Sequence, residues 1–319
     1  MEGIVRLRRD GTQAGGLALN IRLLVTGLRG FVGGHVAEAI EAGVFGDATL
    51  LSLPDGLDLR DRQATERVIA SMAPDHVLHL AGQSFVPRSI QSPAETYEVN
   101  VVGTVNLVQA LALGGFSGRF LYVSSGDVYG RVEERNLPVD CSTPARPMNP
   151  YAASKIAAEE YCLQEWRRTG LNLVIARPFN HIGPRQDARF VVASFAQQLR
   201  QIANGEREPV LNVGDIDTTR DFTDVRDVVR AYAALLERGD AGSRYIVASG
   251  VERSPRQLLE LMITLIGLDV RIEQDPSRMR ASEQRRMVAD ASKTTHACGW
   301  VPSISIETTL EDILKTVSY

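Results

Sequence analysis

Cysteine is scarce in this 319-residue chain: Cys141, Cys162 and Cys298 form an odd, scattered set with no paired spacing. That pattern supplies neither a disulfide framework nor a zinc motif and suits a reducing compartment. Also missing is any apolar run near the ~18 residues that a membrane helix needs. Residues 1–20 contain Arg6, Arg8 and Arg9 but no secretory apolar stretch. They are expected to form a mobile extension ahead of the first strand, and the expected location is the cytoplasm. No excess of positive charge is present either; the net charge is −4, which argues against nucleic acid as a partner. Lysine is nearly absent, with Lys155, Lys293 and Lys315 the only three among 35 basic residues. Phosphate binding must therefore rest on a few placed arginines.

What is present is an alternation of short β-rich runs and longer helical patterns, the mark of a parallel sheet with crossover helices. Strands are expected at 21–26, 49–53, 76–81, 119–125 and 171–177, with helices at 31–41, 64–72 and 94–113 among them. After Pro178 the rhythm breaks, and 204–226 is rich in turn formers and charges. A helix at 225–238 and a strand at 243–248 then resume it. The expected fold class is α/β, a Rossmann doubly wound parallel sheet with a smaller discontinuous α/β substrate-binding subdomain. Residues 21–180 and 219–250 would form the dinucleotide domain, and 181–218 with 251–319 mainly the subdomain.

Thr26-Gly27-Leu28-Arg29-Gly30-Phe31-Val32-Gly33 stands where a strand becomes a helix. Glycines there permit a tight turn, close approach of a pyrophosphate and close helix–strand packing, with helix N–H groups facing the anion. A ribose-binding acid is expected at the end of the second strand, yet Asp55 lies just beyond Leu53-Pro54. The site therefore need not reject a 2′-phosphate, and Arg29 is a candidate to attract one. A solvated loop charge is the plain alternative. NADPH is expected to serve at least as well as NADH.

Asn149-Pro150-Tyr151-Ala152-Ala153-Ser154-Lys155 has an N-cap followed by a good first helical residue. Tyr151 and Lys155, four apart, then share one helix face. An ammonium beside a phenol favours phenolate and is expected to lower the tyrosine pKa from ~10 toward the working pH. Such a tyrosine can pass a proton as a hydride moves at the adjacent carbon. Arginine would be a poor substitute for Lys155, being neither compact nor tunable. Ser124-Ser125, at a strand end, offers a hydroxyl to a reacting carbonyl. His76 and His79 fall on opposite faces of a strand, and His35 and His181 stand alone, so no metal site is expected.

The glycine segment, His79-Leu80-Ala81-Gly82-Gln83, Asn100-Val101-Val102-Gly103-Thr104, Ser124 through Gly130 and the Tyr151/Lys155 pair resemble the extended short-chain dehydrogenases/reductases from about Ile21 onward. Arg177 through Pro184, Val213 through Asp217, Arg220-Asp221-Phe222 and Asp275 through Gln284 are similar to the members that reduce a GDP-linked 4-keto-6-deoxymannose. The resemblance implies Ser125, Tyr151 and Lys155 as the catalytic set. It places Gly27, Arg29, Gly30, Phe31, Val32 and Gly33 around the cofactor, with Asp58 and Leu59 against the adenine and Leu80, Ala81 and Gly82 close to the cofactor backbone. Tyr151 and Lys155 would touch the cofactor as well. Asp127, Asn180, Arg220, Arg280 and Glu283 would hold the GDP-sugar, the arginines at its diphosphate. A homodimer packing through the Tyr151 helix and the helix from Ala94 is implied too.

Related 4,6-dehydratases place an Asp-Glu or Ser-Glu pair after the active hydroxyl. Here Gly126-Asp127 follows Ser125, which shortens the base and removes its neighbour. Simple reduction needs no such base, and the resemblance implies reduction of the C4 keto group to GDP-D-rhamnose. GDP-6-deoxy-D-talose as product, a GDP-mannose 4,6-dehydratase and a sugar-nucleotide epimerase stay open as alternatives.

Overall fold

The computed structural model describes residues 20–276 and 284–316. The first half runs β1 (Ile21–Thr26), α1 (Phe31–Glu41), β2 (Ala48–Ser52), α2 (Arg62–Met72), β3 (His76–His79), α3 (Val86–Gln91), α4 (Pro93–Tyr97), α5 (Gly103–Leu113), β4 (Arg119–Val123), α6 (Pro150–Thr169) and β5 (Asn172–Pro178). Then come β6 (Asn180–Ile182), α7 (Val191–Ala203), β7 (Val210–Val213), β8 (Arg220–Asp224), α8 (Val225–Arg238), β9 (Ser243–Val247), β10 (Glu252–Arg253), α9 (Pro255–Ile266), β11 (Arg271–Gln274), α10 (Ser292–Cys298) and α11 (Ile306–Thr316). A π-helical turn at Glu98–Val102 joins α4 to α5. The stretch 94–113 is thus helical throughout, with one widened turn rather than a uniform helix.

Six strands form a parallel sheet in the order β2-β1-β3-β4-β5-β9. Successive side chains point to opposite faces. Leu23, Val25, Leu121 and Val123 pack on one side against Val36 of α1 and Val228, Tyr232 and Leu235 of α8. Leu24, Phe120 and Tyr122 pack on the other against Leu107 and Leu111 of α5 and Ala158 and Cys162 of α6. The sheet is therefore doubly wound. Its strand order reverses direction at β1 and β3, and a crevice opens beyond the carboxyl ends of such strands.

A second core joins Phe195 and Leu199 of α7, Leu258 and Leu259 of α9, and Leu310 and Ile313 of α11. Around it lie a three-stranded sheet, β10-β8-β6, and a two-stranded one, β11-β7. The start of α9 carries a full capping box between Ser254 and Gln257. Strands β7 and β8 fall within the turn-rich 204–226 stretch. Their partners are remote in sequence, β11 for one and β6 and β10 for the other. Of the last segment, α9, β11 and α11 join this second core. Cys298 and Trp300 instead pack on the large sheet's core, where the Trp300 indole donates to the Asp227 carbonyl.

Candidate active site

At the end of β1, Gly27 turns the chain with φ +73°, and a Cβ there would lie 2.8 Å from the Ala81 nitrogen. Both the turn and the approach of the next strand's loop require glycine. A Cβ on Gly33 would lie 2.5 Å from the Gly27 carbonyl oxygen, so helix and loop meet backbone to backbone. Gly30 caps α1 without a side-chain bond, and no acid occupies the first turn. The N–H groups of Phe31, Val32 and Gly33 thus face the crevice without helical acceptors, a site suited to pyrophosphate. The cradle fits a dinucleotide.

A buried hydrogen-bond chain sets the cradle's far wall. The Ala81 N–H donates to the Thr26 hydroxyl at 3.0 Å, and that hydroxyl meets His79 Nδ1 at 2.7 Å. His79 Nε2 meets the Thr104 hydroxyl at 2.9 Å, which donates to the Asn100 carbonyl at 2.7 Å. Donor order leaves one consistent tautomer, with the proton on Nε2. Burial holds His79 far below the usual range, at about 3, so it stays neutral. Leu80 adjoins the same wall. Asn100, on the π-helical turn, accepts from the Gln83 N–H at 2.7 Å and donates to the Ser154 hydroxyl at 2.9 Å. The turn thereby ties the β3 loop to α6.

Helix α6 begins where the residue pattern places it: the Asn149 side chain accepts from the Ala152 N–H, and Pro150 is first. Tyr151 is 8% exposed and Lys155 5%. The Lys155 ammonium donates to the Val123 carbonyl at 2.9 Å and lies 6.0 Å from the centre of the Tyr151 ring. A Cβ on Gly82 would lie 3.4 Å from it, so the amine abuts the cradle. Ser125 caps the short turn Gly126–Tyr129, accepting from the Asp127 N–H at 3.1 Å. A Cβ on Gly126 would lie 2.8 Å from the Phe179 ring, which leaves no room for a side chain. Ser125, Tyr151, Lys155 and the glycine cradle are therefore brought together.

The electrostatics differ from the sequence expectation. Burial raises the Tyr151 phenol well above its ordinary range, the nearby Asp127 carboxylate adds to this, and the Ser125 hydroxyl pulls back. Burial in turn brings Lys155 down to about 8, with Glu159 opposing. Desolvation and the Asp127 charge outweigh the Ser125 hydrogen bond, so Tyr151 holds its proton at neutral pH.

Asp127 is exposed, yet desolvation of its carboxyl group raises it, with Arg220 opposing. Arg220 is anchored by donating to the carbonyls of Thr219 and Gln284, at 2.6 and 3.1 Å. Burial lowers it, with Asp127 and Asp215 opposing. Asn180 stands exposed at the start of β6. Asp127 and Arg220 face one another, while Arg280 and Glu283, with Arg278, lie outside the described residues. In the loop after β2, Asp58 pairs with Arg60 at 2.6 Å. The Leu59 carbonyl accepts from Asn106 at 2.8 Å, which fixes that loop to α5. Arg29 forms an exposed ion pair with Asp55, beside the glycine loop.

Some groups carry no local signal in sequence. Glu159, one turn beyond Lys155, is fully buried and held by Arg177 at 2.9 and 2.7 Å. Four-residue spacing from Lys155 was the available clue. His35 and His181 serve packing: His181 stacks on Phe31 at 6.1 Å, and His35 Nε2 meets the Pro184 carbonyl at 3.0 Å. Among the described residues, no group of three or more His, Cys, Asp or Glu side chains is arranged to hold a metal ion. Nor is any helix among them long and apolar enough to cross a membrane.

Comparison with known proteins agrees with this geometry. A family profile described as GDP-mannose 4,6 dehydratase matches residues 55–313. The GDP-6-deoxy-D-mannose reductase of Pseudomonas aeruginosa is 46% identical over 92% of this chain and 96% of its own. The UDP-glucose 4-epimerase of Mycolicibacterium smegmatis is 32% identical over 94% and 98%. Among solved structures, RMD from Pseudomonas aeruginosa complexed with NADPH superposes with a TM-score of 0.88 at 46% identity, covering 93% of this chain and 98% of that one. UDP-glucose 4-epimerase from Thermotoga maritima with UDP-glucose gives 0.82 at 29% identity, covering 92% and 98%. With likeness of this extent in sequence and in backbone, the chain belongs to the extended short-chain dehydrogenase/reductase family.

Proposed function

We propose that the chain reduces the C4 keto group of GDP-4-dehydro-6-deoxy-D-mannose to GDP-D-rhamnose with NADPH or NADH, NADPH serving at least as well. One observation carries the reading: Tyr151, buried and with its phenol raised, stands beside the Ser125 hydroxyl and next to a dinucleotide cradle. Carbonyl reduction starts from a proton-loaded acid, whereas oxidation of an alcohol starts from a base. The name of the 46%-identical relative and its NADPH-bound structure support the substrate and cofactor. Other structural neighbours carry NAD.

Gly27, Gly30, Gly33 and the first turn of α1 would hold the cofactor's pyrophosphate, Ala81 and Gly82 would border it, and the Asp58-Leu59 loop would meet the adenine. When bound, the reduced nicotinamide supplies the hydride. Ser125 donates a hydrogen bond to the C4 carbonyl oxygen and orients it. Tyr151 gives that oxygen its proton, and Lys155 supplies positive charge as the phenolate forms. Arg220 and Arg280 would hold the diphosphate, with Asp127, Asn180 and Glu283 on the sugar and nucleoside. The second core would be the sugar-nucleotide subdomain. A dehydratase needs an acid–base group beside C5 and C6. Gly126, closed off by Phe179, cannot provide one.

Incubation with GDP-4-dehydro-6-deoxymannose and NADPH should consume one NADPH per sugar reduced, and NMR of the C4 proton should identify rhamnose. Turnover of GDP-mannose or of a UDP-sugar without net cofactor consumption would instead indicate a dehydratase or an epimerase and overturn the reading. We further propose a homodimer in the cytoplasm, joined through α6 and the 93–113 helical run. The exposed Tyr97 and Val102 on that run support this interface, and light scattering tests it.

A further inference from the structure

Tyr151, Lys155 and Glu159 succeed one another at four-residue steps along one face of α6. The third is the most deeply buried, at 0% exposed. Glu159 receives two hydrogen bonds from Arg177 of β5, at 2.9 and 2.7 Å, and one from Arg244 of β9 at 3.2 Å. Arg244 also reaches Glu160, at 2.5 Å. The Arg177 guanidinium, 3% exposed, lies 5.1 Å from the centre of the Tyr129 ring. Tyr129 ends the turn that begins after Ser125, and its ring stacks at 6.0 Å on Phe179, which closes over Gly126. One buried ion pair therefore touches the helix of Tyr151 and Lys155, the turn of Ser125 and Asp127, and the strand leading to Asn180.

A buried ion pair is weak evidence for stability, because desolvation offsets the attraction. Its placement asks for another role. We propose that Glu159 is a positioning residue for proton transfer: held by Arg177 and Arg244, it keeps the Lys155 amine charged beside Tyr151 and locks the Ser125 turn to α6. The other neighbours bring no negative charge to the amine. From β4, Tyr122 brings its ring to 5.3 Å from the amine. From β3, His79 is neutral and shares Lys155's buried surroundings. The Val123 carbonyl accepts from the amine, and Asn100, near Gly82, is uncharged. Tyr151 is protonated, and Cys162, a turn past Glu159, has its thiol raised by burial. Asp127 acts on the phenol. Among the charged groups of the described residues, Glu159 is the one that opposes the loss of the lysine's proton.

The inference rests on the reductase reading, but its first test does not use turnover. Replacing Lys293 and Lys315 with arginine leaves Lys155 as the only lysine of the chain. Its ε-carbon, labelled with 13C, can then be titrated by NMR. In that background Lys155 should titrate near 8. Glu159→Gln leaves Arg177 and Arg244 uncompensated and should lower the midpoint by about one unit. Arg244→Gln, at a partly exposed site, removes a positive charge and should raise it by a few tenths. In NADPH oxidation the basic limb of kcat should move the same two ways, with kcat of Glu159→Gln down about tenfold, as expected for impaired general acid–base catalysis. The substrate KM should change less than threefold. Opposite shifts are the signature, since loosening of the fold would move both variants alike. Unshifted midpoints, or shifts of one sign, would overturn the proposal. Should Glu159→Gln not fold, Glu159→Asp, which keeps the charge but shortens its reach, should still lower the midpoint, the direction opposite to that of loosening; an unshifted or raised midpoint would overturn the proposal. Correct NMR shifts without NADPH oxidation would sink the reductase reading and leave the positioning role standing.

Discussion

The two ends of the crevice present different kinds of surface. At the β1 end the surface is backbone: Gly27 and Gly33 stand where a single Cβ would meet another chain segment at 2.8 and 2.5 Å. At the other end it is side chain, with Asp127 on the turn after β4 and Arg220 on β8 coupled by their charges. Between them lie Tyr151 and Lys155, buried enough that desolvation sets their proton affinity. The backbone end tolerates almost no substitution, because its fit is steric. The side-chain end is adjustable, because charge can be traded among neighbours. This contrast suits a family in which one dinucleotide cradle serves many sugars.

Each boundary in that contrast can be probed. Tyr151→Phe removes only the transferable proton and should lower kcat ~100- to 10,000-fold, while NADPH binding followed by fluorescence stays as in the wild type. Loss of cofactor binding would show that the two regions are not separable. Gly27→Ala should act in the opposite way. Positive φ and the contact with Ala81 together cost about 1–3 kcal/mol, or roughly 5- to 150-fold in NADPH affinity, measured by calorimetry. Arg220→Gln would remove the charge-assisted hydrogen bond to substrate proposed above, worth about 1.5 kcal/mol. It should raise the KM for the GDP-sugar about tenfold and leave the KM for NADPH unchanged.

The smallest effect is on stability. The Asp127 carboxyl is raised in the fold, so the native state binds its proton more tightly than the unfolded chain does. Ionisation then destabilises the fold as pH rises from the ordinary aspartate range through the raised value. Asp127→Asn should therefore melt at a higher temperature than the wild type at pH 7. That gain should vanish as the pH falls below the ordinary aspartate range. A lower melting temperature at pH 7 would mean that the Arg220 attraction outweighs desolvation.

Much of the dinucleotide half was legible because its signals are local. Strand β1 and helices α1 and α8 begin and end where periodicity and turn residues put them. The Tyr151–Lys155 spacing needs only the pitch of one helix. Strands β7 and β8 were not legible: their hydrogen-bonding partners come from β11, β6 and β10, far along the chain. The acidity of Tyr151 was read with the wrong sign. Sequence reveals the neighbouring lysine but not the burial of both groups or the approach of Asp127. Glu159 carried no motif, and Arg177 entered only through resemblance. Their pairing exists because β5 lies beside β4 beneath α6.

By itself, then, the sequence determined the elements whose reasons lie within a few residues: the glycine turn, the capped helix of Tyr151, and the alternation that builds a parallel sheet. Only the tertiary structure decided which charges are buried together, and therefore that Tyr151 keeps its proton, that Lys155 depends on Glu159, and that Arg220 faces Asp127. Local conformation follows from sterics and hydrogen bonding along the chain. Proton affinity follows from desolvation and from charges brought together across the fold.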